Sequence, residues 1–295
     1  MPMQEGPGVG VAVVGLGART AIGMTAPSSA AAVRAGIPGF GEHPFMIDTA
    51  GNKMIVARAP YLEDQAGAER LLALAEPAAR EALAPLTNLR EKNPPIPVLI
   101  GLPPARPGQP GMAKVVEERL ARALGDTGRV GPVRVVEEKG HAAGLAALWA
   151  AWRALGTSRE EFCLVGGVDS YLEPETLEWL EACDQVHGAG PENNAWGFIP
   201  GEAAGFCLLA SETACTRYHL PCHCRVLRAA LAREKNLIKT DTVCVGQGLT
   251  DAVRQALVGL PQGTKVDRMI CDQNGEPYRA DEFGFTLVRL SERFT

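Results

Sequence analysis

Apolar positions fall into short unbroken runs that alternate with longer segments of helical period. The run "GVAVVGLGARTAIG" (10–23) is β-branched and ends in glycines, which predicts a buried strand followed by a tight turn. "PSSAAAVRAG" (27–36) predicts a helix entered at Pro/Ser and left at Gly. "KMIVARA" predicts a short strand, "GAERLLALAEPAAREALAPL" (67–86) a long amphipathic helix, and "PPIPVLIGL" a buried strand. "GMAKVVEERLARAL" predicts a helix, "GPVRVVEE" a strand, "HAAGLAALWAAWRAL" a helix and "EFCLVGGVDS" (161–170) another buried strand. Such alternation is that of an α/β protein built around sheets.

The segment 142–155 departs from the pattern of a surface helix. Ala, Gly, Leu and Trp cover nearly every side, and Arg153 is its only charge. A helix apolar all round belongs between layers, so at least one helix is expected to lie sandwiched between sheets. A turn-rich stretch follows, and strand 204–210 after it. Beyond Ser211 the pattern predicts strand 222–231, helix 248–259, strand 266–271 and strand 284–290.

Composition narrows the function classes. The 295 residues are 46% hydrophobic, ample for a large core. A formal charge of −5, 5% aromatics and the lack of a Lys/Arg cluster argue against a nucleic-acid binder. No apolar run reaches a membrane span and the first residues carry no basic region, so a cytoplasmic protein is expected. The eight cysteines are scattered and read as reduced core thiols. "HLPCHC" (219–224) has zinc-type residues, but Cys-x-Cys is not the usual spacing and no second pair follows. Cys222 and Cys224 are instead placed on one face of a strand, and no metal is expected.

Other motifs fail on spacing. After Gly15-x-Gly17 the third glycine position of a dinucleotide fingerprint holds Thr20, so no cofactor is expected. "GVDSY" lacks the flanking glycines of a nucleophile elbow around Ser170. The pairs Glu117-Glu118 and Glu137-Glu138 read as solvated surface carboxylates. His43, His187 and His219 read as loop residues without a partner, and Trp149 and Trp152 as core residues of their helix.

Several separated motifs agree with one family. "VAVVGLGARTAIG", the all-apolar helix, "GGVDS" (166–170) and "GFIPGEAAGFCLL" (197–209) together resemble the β-ketoacyl-acyl-carrier-protein synthases of the thiolase superfamily. The resemblance covers most of residues 10–211. It implies a thiolase-like layered αβαβα sandwich of two similar halves, here 8–211 and a shortened 212–295. It also implies a cysteine at the head of the central helix as acyl acceptor, its thiolate favoured by the helix dipole, and two histidines that assist decarboxylation.

None of the three is found where the resemblance places it. The family's cysteine position falls on His141 in "KGHAAG" (139–144), and none of the eight cysteines lies within twenty residues of it. The first histidine position falls near Asp272, Gln273 and Asn274, and the chain stops at Thr295 before a second could follow. His141, Asn274 and Glu276 are expected to line a relic pocket across which no acid–base partner can be named. The resemblance therefore implies a catalytically inactive synthase-like protein whose apolar helix face is covered by a second copy or a related synthase-like chain. Degenerate thiolase-like proteins of this kind accompany bacterial type VI secretion cargo, which makes an effector chaperone or adaptor the expectation, with a secretion effector or spike protein as partner. The alternative is a component of fatty-acid or polyketide synthesis, either a chain-length-factor-like subunit or a residual acyl-transferring synthase.

Overall fold

The computed structural model describes residues 10–87, 89, 95–136, 140–157, 160–237, 242–261 and 263–295. The Glu137-Glu138 pair and Lys139 of the "KGHAAG" motif lie outside the described residues.

Six strands form the main sheet, in the order β5-β4-β6-β7-β1-β8. They are β1 (Val11–Thr20), β4 (Ile96–Gly101), β5 (Val130–Val136), β6 (Phe162–Ser170), β7 (Glu202–Ala210) and β8 (Cys224–Val226). β4 runs parallel to β5 and β6, whereas β7 is antiparallel to β6 and β1. Between β1 and β4 the chain forms α1 (Ala26–Arg34), a separate hairpin of β2 (Gly41–Ile47) and β3 (Lys53–Val56), and α2 (Gly67–Leu83). α3 (Ala113–Gly125) precedes β5, and α4 (Ala143–Thr157) links β5 to β6. The remaining helices are α5 (Pro174–Ala182), α6 (Glu212–Arg217), α7 (Gln247–Leu257) and α8 (Pro277–Arg289).

Strand side chains alternate between faces, and here both faces are covered. Ala12 and Val14 of β1 join Leu164 and Leu208 in the larger core, against Leu71, Leu74, Ala78 and Ala82 of α2 and Leu120 of α3. Val11 and Val13 point the other way and join Cys163, Val165 and Leu209 against Ala151, Trp152 and Leu155 of α4. That two-sided burial is why these strands read as unbroken apolar runs. Gly15 and Gly17, expected near a turn, lie within β1. A Cβ at Gly17 would sit 1.9 Å from the Ala78 carbonyl oxygen, so the glycine lets α2 lie directly on the strand.

A buried ion pair locks α2 to the sheet. Arg70 donates from Nε to Glu202 Oε2 at 2.5 Å and from Nη2 to Oε1 at 2.7 Å. Its Nη1 donates to the carbonyls of Leu62 and Gln65. Glu202 also accepts from the Ala59 N–H at 2.7 Å and from the Ser170 hydroxyl at 2.9 Å. Every charged oxygen and most of the guanidinium are thereby satisfied, as a buried pair requires.

The far face of α4 is open. Among the described residues the helix packs on one sheet, not between two, and Leu145 on its outer side is 66% exposed. Among the described residues after β8 there is no further sheet: α7 and α8 pack on one another, with the Thr250 and Thr286 hydroxyls 3.1 Å apart. Three expected strands change accordingly. Segment 222–231 shrinks to the three residues of β8, which pair with Val11–Val13 of β1. Segment 266–271 forms no strand and makes one isolated bridge, Val266 with Phe294. Segment 284–290 belongs to helix α8, which Pro277 initiates at its first turn. Cys222 therefore precedes the strand that Cys224 begins.

Two further readings change. His43 is a buried β2 residue whose Nδ1 accepts the backbone N–H of Met46 at 3.0 Å. Glu117 is not merely solvated: its Oε1 accepts the Val135 N–H at 2.7 Å and so occupies an N–H of strand β5 at the sheet edge.

Candidate functional site

The head of α4 lies where β4 and β6 end. A Cβ at Gly101, the last residue of β4, would stand 2.3 Å from the Gly144 nitrogen, so the bare strand end lets the first turn of α4 rest on the sheet. His141 sits just before that turn, in a single 3-10 turn (Gly140–Ala142) that Gly140 enters at φ +57°.

Its side chain has a partner that spacing alone did not reveal. Tyr171, the residue after β6, places its hydroxyl 3.3 Å from His141 Nδ1. Tyr171 is in turn fixed by Arg106, whose guanidinium lies 4.1 Å from the ring centroid. Arg106 donates to Asp169 Oδ1 and to the Ser170 carbonyl at 2.5 Å each. Arg106 and Tyr171 thus escaped detection because a cation and a phenol 65 residues apart share no motif.

The start of α8 carries a second polar cluster. Glu276, buried at its N-cap, accepts from Gln185 Nε2 at 3.2 Å and from Asn274 Nδ2 at 3.0 Å. Arg279 pairs with Asp272 and lies 3.5 Å from Glu276. The charges of Arg279, Asp272 and Glu276 are felt at His141, and Asn274 hydrogen-bonds Glu276. Gln273 adds nothing to the cluster; it is exposed and in irregular structure.

The electrostatics keep this site neutral at its centre. His141 keeps an exposed surface, yet the protein packed about its ring, and then the Arg279 charge, hold the imidazole below the usual histidine range, against the opposing pull of Asp169, Asp272 and Glu276. Burial, with Asp169 adding to it, pushes the Tyr171 phenol up to about 12. Near neutral pH an uncharged imidazole faces an uncharged phenol, a pair able to relay a proton but not to carry an acyl thioester.

A pH dependence follows. Because the folded-state pKa lies below the unfolded one, the unfolded chain takes up the proton first as pH falls, so the contribution is present above the unfolded value and lost through the window beneath it. We expect the His141 ring protons to titrate by NMR below 6.5, and Arg279→Gln to move that titration upward. An unshifted midpoint in both proteins would contradict the geometry.

Cys271 is exposed and directly precedes Asp272 of this cluster, while the thiols packed on α4 lie far from His141. Cys163 and Cys207 sit with Trp152 and Leu155, eleven residues or more along α4 from His141, which is roughly 16 Å at the rise of a helix. Burial pushes both thiols up to about 12, so neither is a nucleophile at neutral pH. Cys222 and Cys224 are exposed. Metal-ligand types converge within 4.8 Å at one place among the described residues, Glu234, Cys244 and Glu282. Glu234 is already engaged there, accepting the N–H groups of Lys235, Asn236 and Gly248.

Residues 108–214 match the family model for the beta-ketoacyl synthase N-terminal domain. No curated protein matches the chain by sequence. Solved structures match it by shape. A type II polyketide ketosynthase, bound to the hexaketide and in complex with its acyl-carrier protein, superposes with a TM-score of 0.77 at 16% identity, over 96% of this chain and 77% of that one. The ishigamide ketosynthase/chain length factor gives a TM-score of 0.77 at 18% identity, over 96% and 78%. The ketosynthase from module 6 of the bacillaene synthase of Bacillus subtilis 168 gives 0.74 at 15%, and there this chain spans 55% of the other. The fold is thus the thiolase-like fold of ketosynthases, with a mixed six-stranded sheet.

Proposed function

We propose that this chain is a ketosynthase-like subunit without condensing chemistry, which acts by binding another protein. One observation carries the reading: the head of α4 presents His141 against Tyr171, while the two thiols packed against α4 are buried near its far end and held protonated. An acyl group transferred to an imidazole hydrolyses readily, so the residue at the head of α4 does not store it as a thioester would. The open face of α4, with Leu145 exposed, supports a partner chain as the missing cover. We assign that partner to effector delivery, the chain serving as a chaperone or adaptor of type VI secretion cargo.

A second reading has an observation of its own. The likeness to a ketosynthase/chain length factor supports a subunit that pairs with an active synthase in fatty-acid or polyketide assembly. The two readings share the inactive site and differ in the partner.

Incubation with an acyl-carrier protein loaded with an acyl thioester, followed by intact-mass measurement, tests the shared part. The expected result is no covalent gain. A stoichiometric acyl adduct on any residue would overturn the reading.

A further inference from the structure

Residues 171–202 carry seven carboxylates and no lysine or arginine. Part of that charge gathers around one groove of about 650 Å³, rimmed by Asp48, Glu178, Glu181, Asp184 and Glu192. Its apolar lining comes from Ile47, Ala182, Val186 and Ala189, and no cationic side chain among the described residues lines it. It shares no lining residue with the His141 cluster.

The groove is preformed. Glu181 Oε1 accepts both the backbone N–H and the hydroxyl of Thr49 at 2.7 Å, which ties the turn after β2 to the end of α5. The opposite lip is closed by backbone bonds, Gln185 N–H to Leu180 at 2.9 Å and Gly188 N–H to Asn194 at 2.7 Å. Val186 beneath it is buried with Leu180 and Ala189. A partner would meet a shaped surface and need order only itself.

Two of the rim carboxylates hold the groove together, Glu181 through Thr49 and Asp48 through the N–H groups of Ala50 and Asn52. Glu178, Asp184 and Glu192 are exposed, and none of them is ion-paired among the described residues. Their oxygens do not converge as a metal site would; the group that does lies elsewhere. Beside them β2 turns two large apolar side chains outward, Phe45 at 68% and Ile47 at 58% exposure. Unneutralised negative charge next to exposed apolar surface calls for an occupant that carries both positive charge and apolar side chains.

We propose that this groove docks a basic amphipathic segment of a partner protein, its lysines or arginines against Glu178, Asp184 and Glu192 and an apolar side chain over Ile47 and Ala189. The choice of a protein as occupant rests on the reading given above; the charge and shape of the groove do not.

The test is fluorescence polarisation of the whole chain with a labelled peptide alternating lysine, leucine and arginine. Binding is expected at low ionic strength and should weaken steeply as salt screens the rim. The triple variant Glu178→Gln, Asp184→Asn, Glu192→Gln, which spares Asp48 and Glu181, should bind at least tenfold more weakly with an unchanged melting temperature. A peptide with serine in place of leucine should lose at least fivefold. Equal binding by the triple variant would place the peptide elsewhere and overturn the proposal. Equal binding of the serine peptide, or displacement by spermine alone at the same concentration, would overturn it in favour of bulk electrostatics. No binding at low salt overturns it outright. An acyl adduct in the mass experiment would sink the non-condensing reading and leave this result untouched.

Discussion

Glu202→Ala should cost about 3–5 kcal/mol of folding stability, the loss expected when one member of a buried ion pair is removed and the other is stranded. Arg70 would keep its carbonyl partners, Leu62 and Gln65, but face an apolar gap where two charge-assisted bonds had been. The Ala59 N–H and the Ser170 hydroxyl would lose their acceptor as well. Thermal unfolding should show a fall on the order of 10 °C, taking about 2–4 °C per kcal/mol for a chain approaching this size. The double variant Arg70→Met, Glu202→Leu should recover much of the loss, since no charge is then buried unpaired. A drop of less than about 1 kcal/mol in the single variant would mean that water reaches the pair and that α2 is held by apolar packing alone.

Gly101→Val should be nearly as damaging and should also disturb the site. Its Cβ would fall 2.3 Å from the Gly144 nitrogen and 2.4 Å from the Ala143 carbonyl carbon, both backbone atoms that no rotamer change can move. The first turn of α4 must lift off β4, at a cost of about 3 kcal/mol by the upper range for overpacking. His141 would move with that turn, away from Tyr171. A lower melting temperature together with a His141 titration shifted toward the free-histidine value is the expected pair of results. Lost stability with an unaltered titration would show that the head of α4 is positioned by other contacts.

Much of the fold was legible because its strands are buried on both faces. β1, β4, β6 and β7 show as continuous apolar runs, with no polar face to confuse the period. α2 and α3 were legible from their amphipathic spacing. α4 was placed correctly but not its surroundings, since an all-apolar pattern records that a helix favours burial without saying on how many sides it is covered. Segment 284–290 was misread because Phe283, Leu287 and Leu290 recur at helical spacing while Phe285 and Val288 fill in between, which blurs the two periods. Pro277 at the first turn of α8 was the better signal, as was Pro174 for α5. Strand β2 was missed because Pro44 interrupts it and its hairpin lies apart from the main sheet.

The site was half legible. The motif around residues 139–144 singled out His141, and the turn "NGEPYR" singled out Asn274 and Glu276. What surrounds them was not legible, because Tyr171, Arg106 and Arg279 arrive from the end of β6, a loop and α8 and are joined only by the fold. The same holds for the acidic groove, where the turn after β2 meets the end of α5 across more than a hundred residues.

The most direct test is to tag the chain in its own host, place a photoreactive residue at position 145 on the open face of α4, and identify by mass spectrometry what becomes crosslinked. Capture of a single protein partner through that position is expected, with a secretion effector or spike component supporting the adaptor reading and an intact ketosynthase the alternative one. A chain that purifies alone, captures nothing at position 145 and accepts an acyl group from an acyl-carrier protein would contradict it.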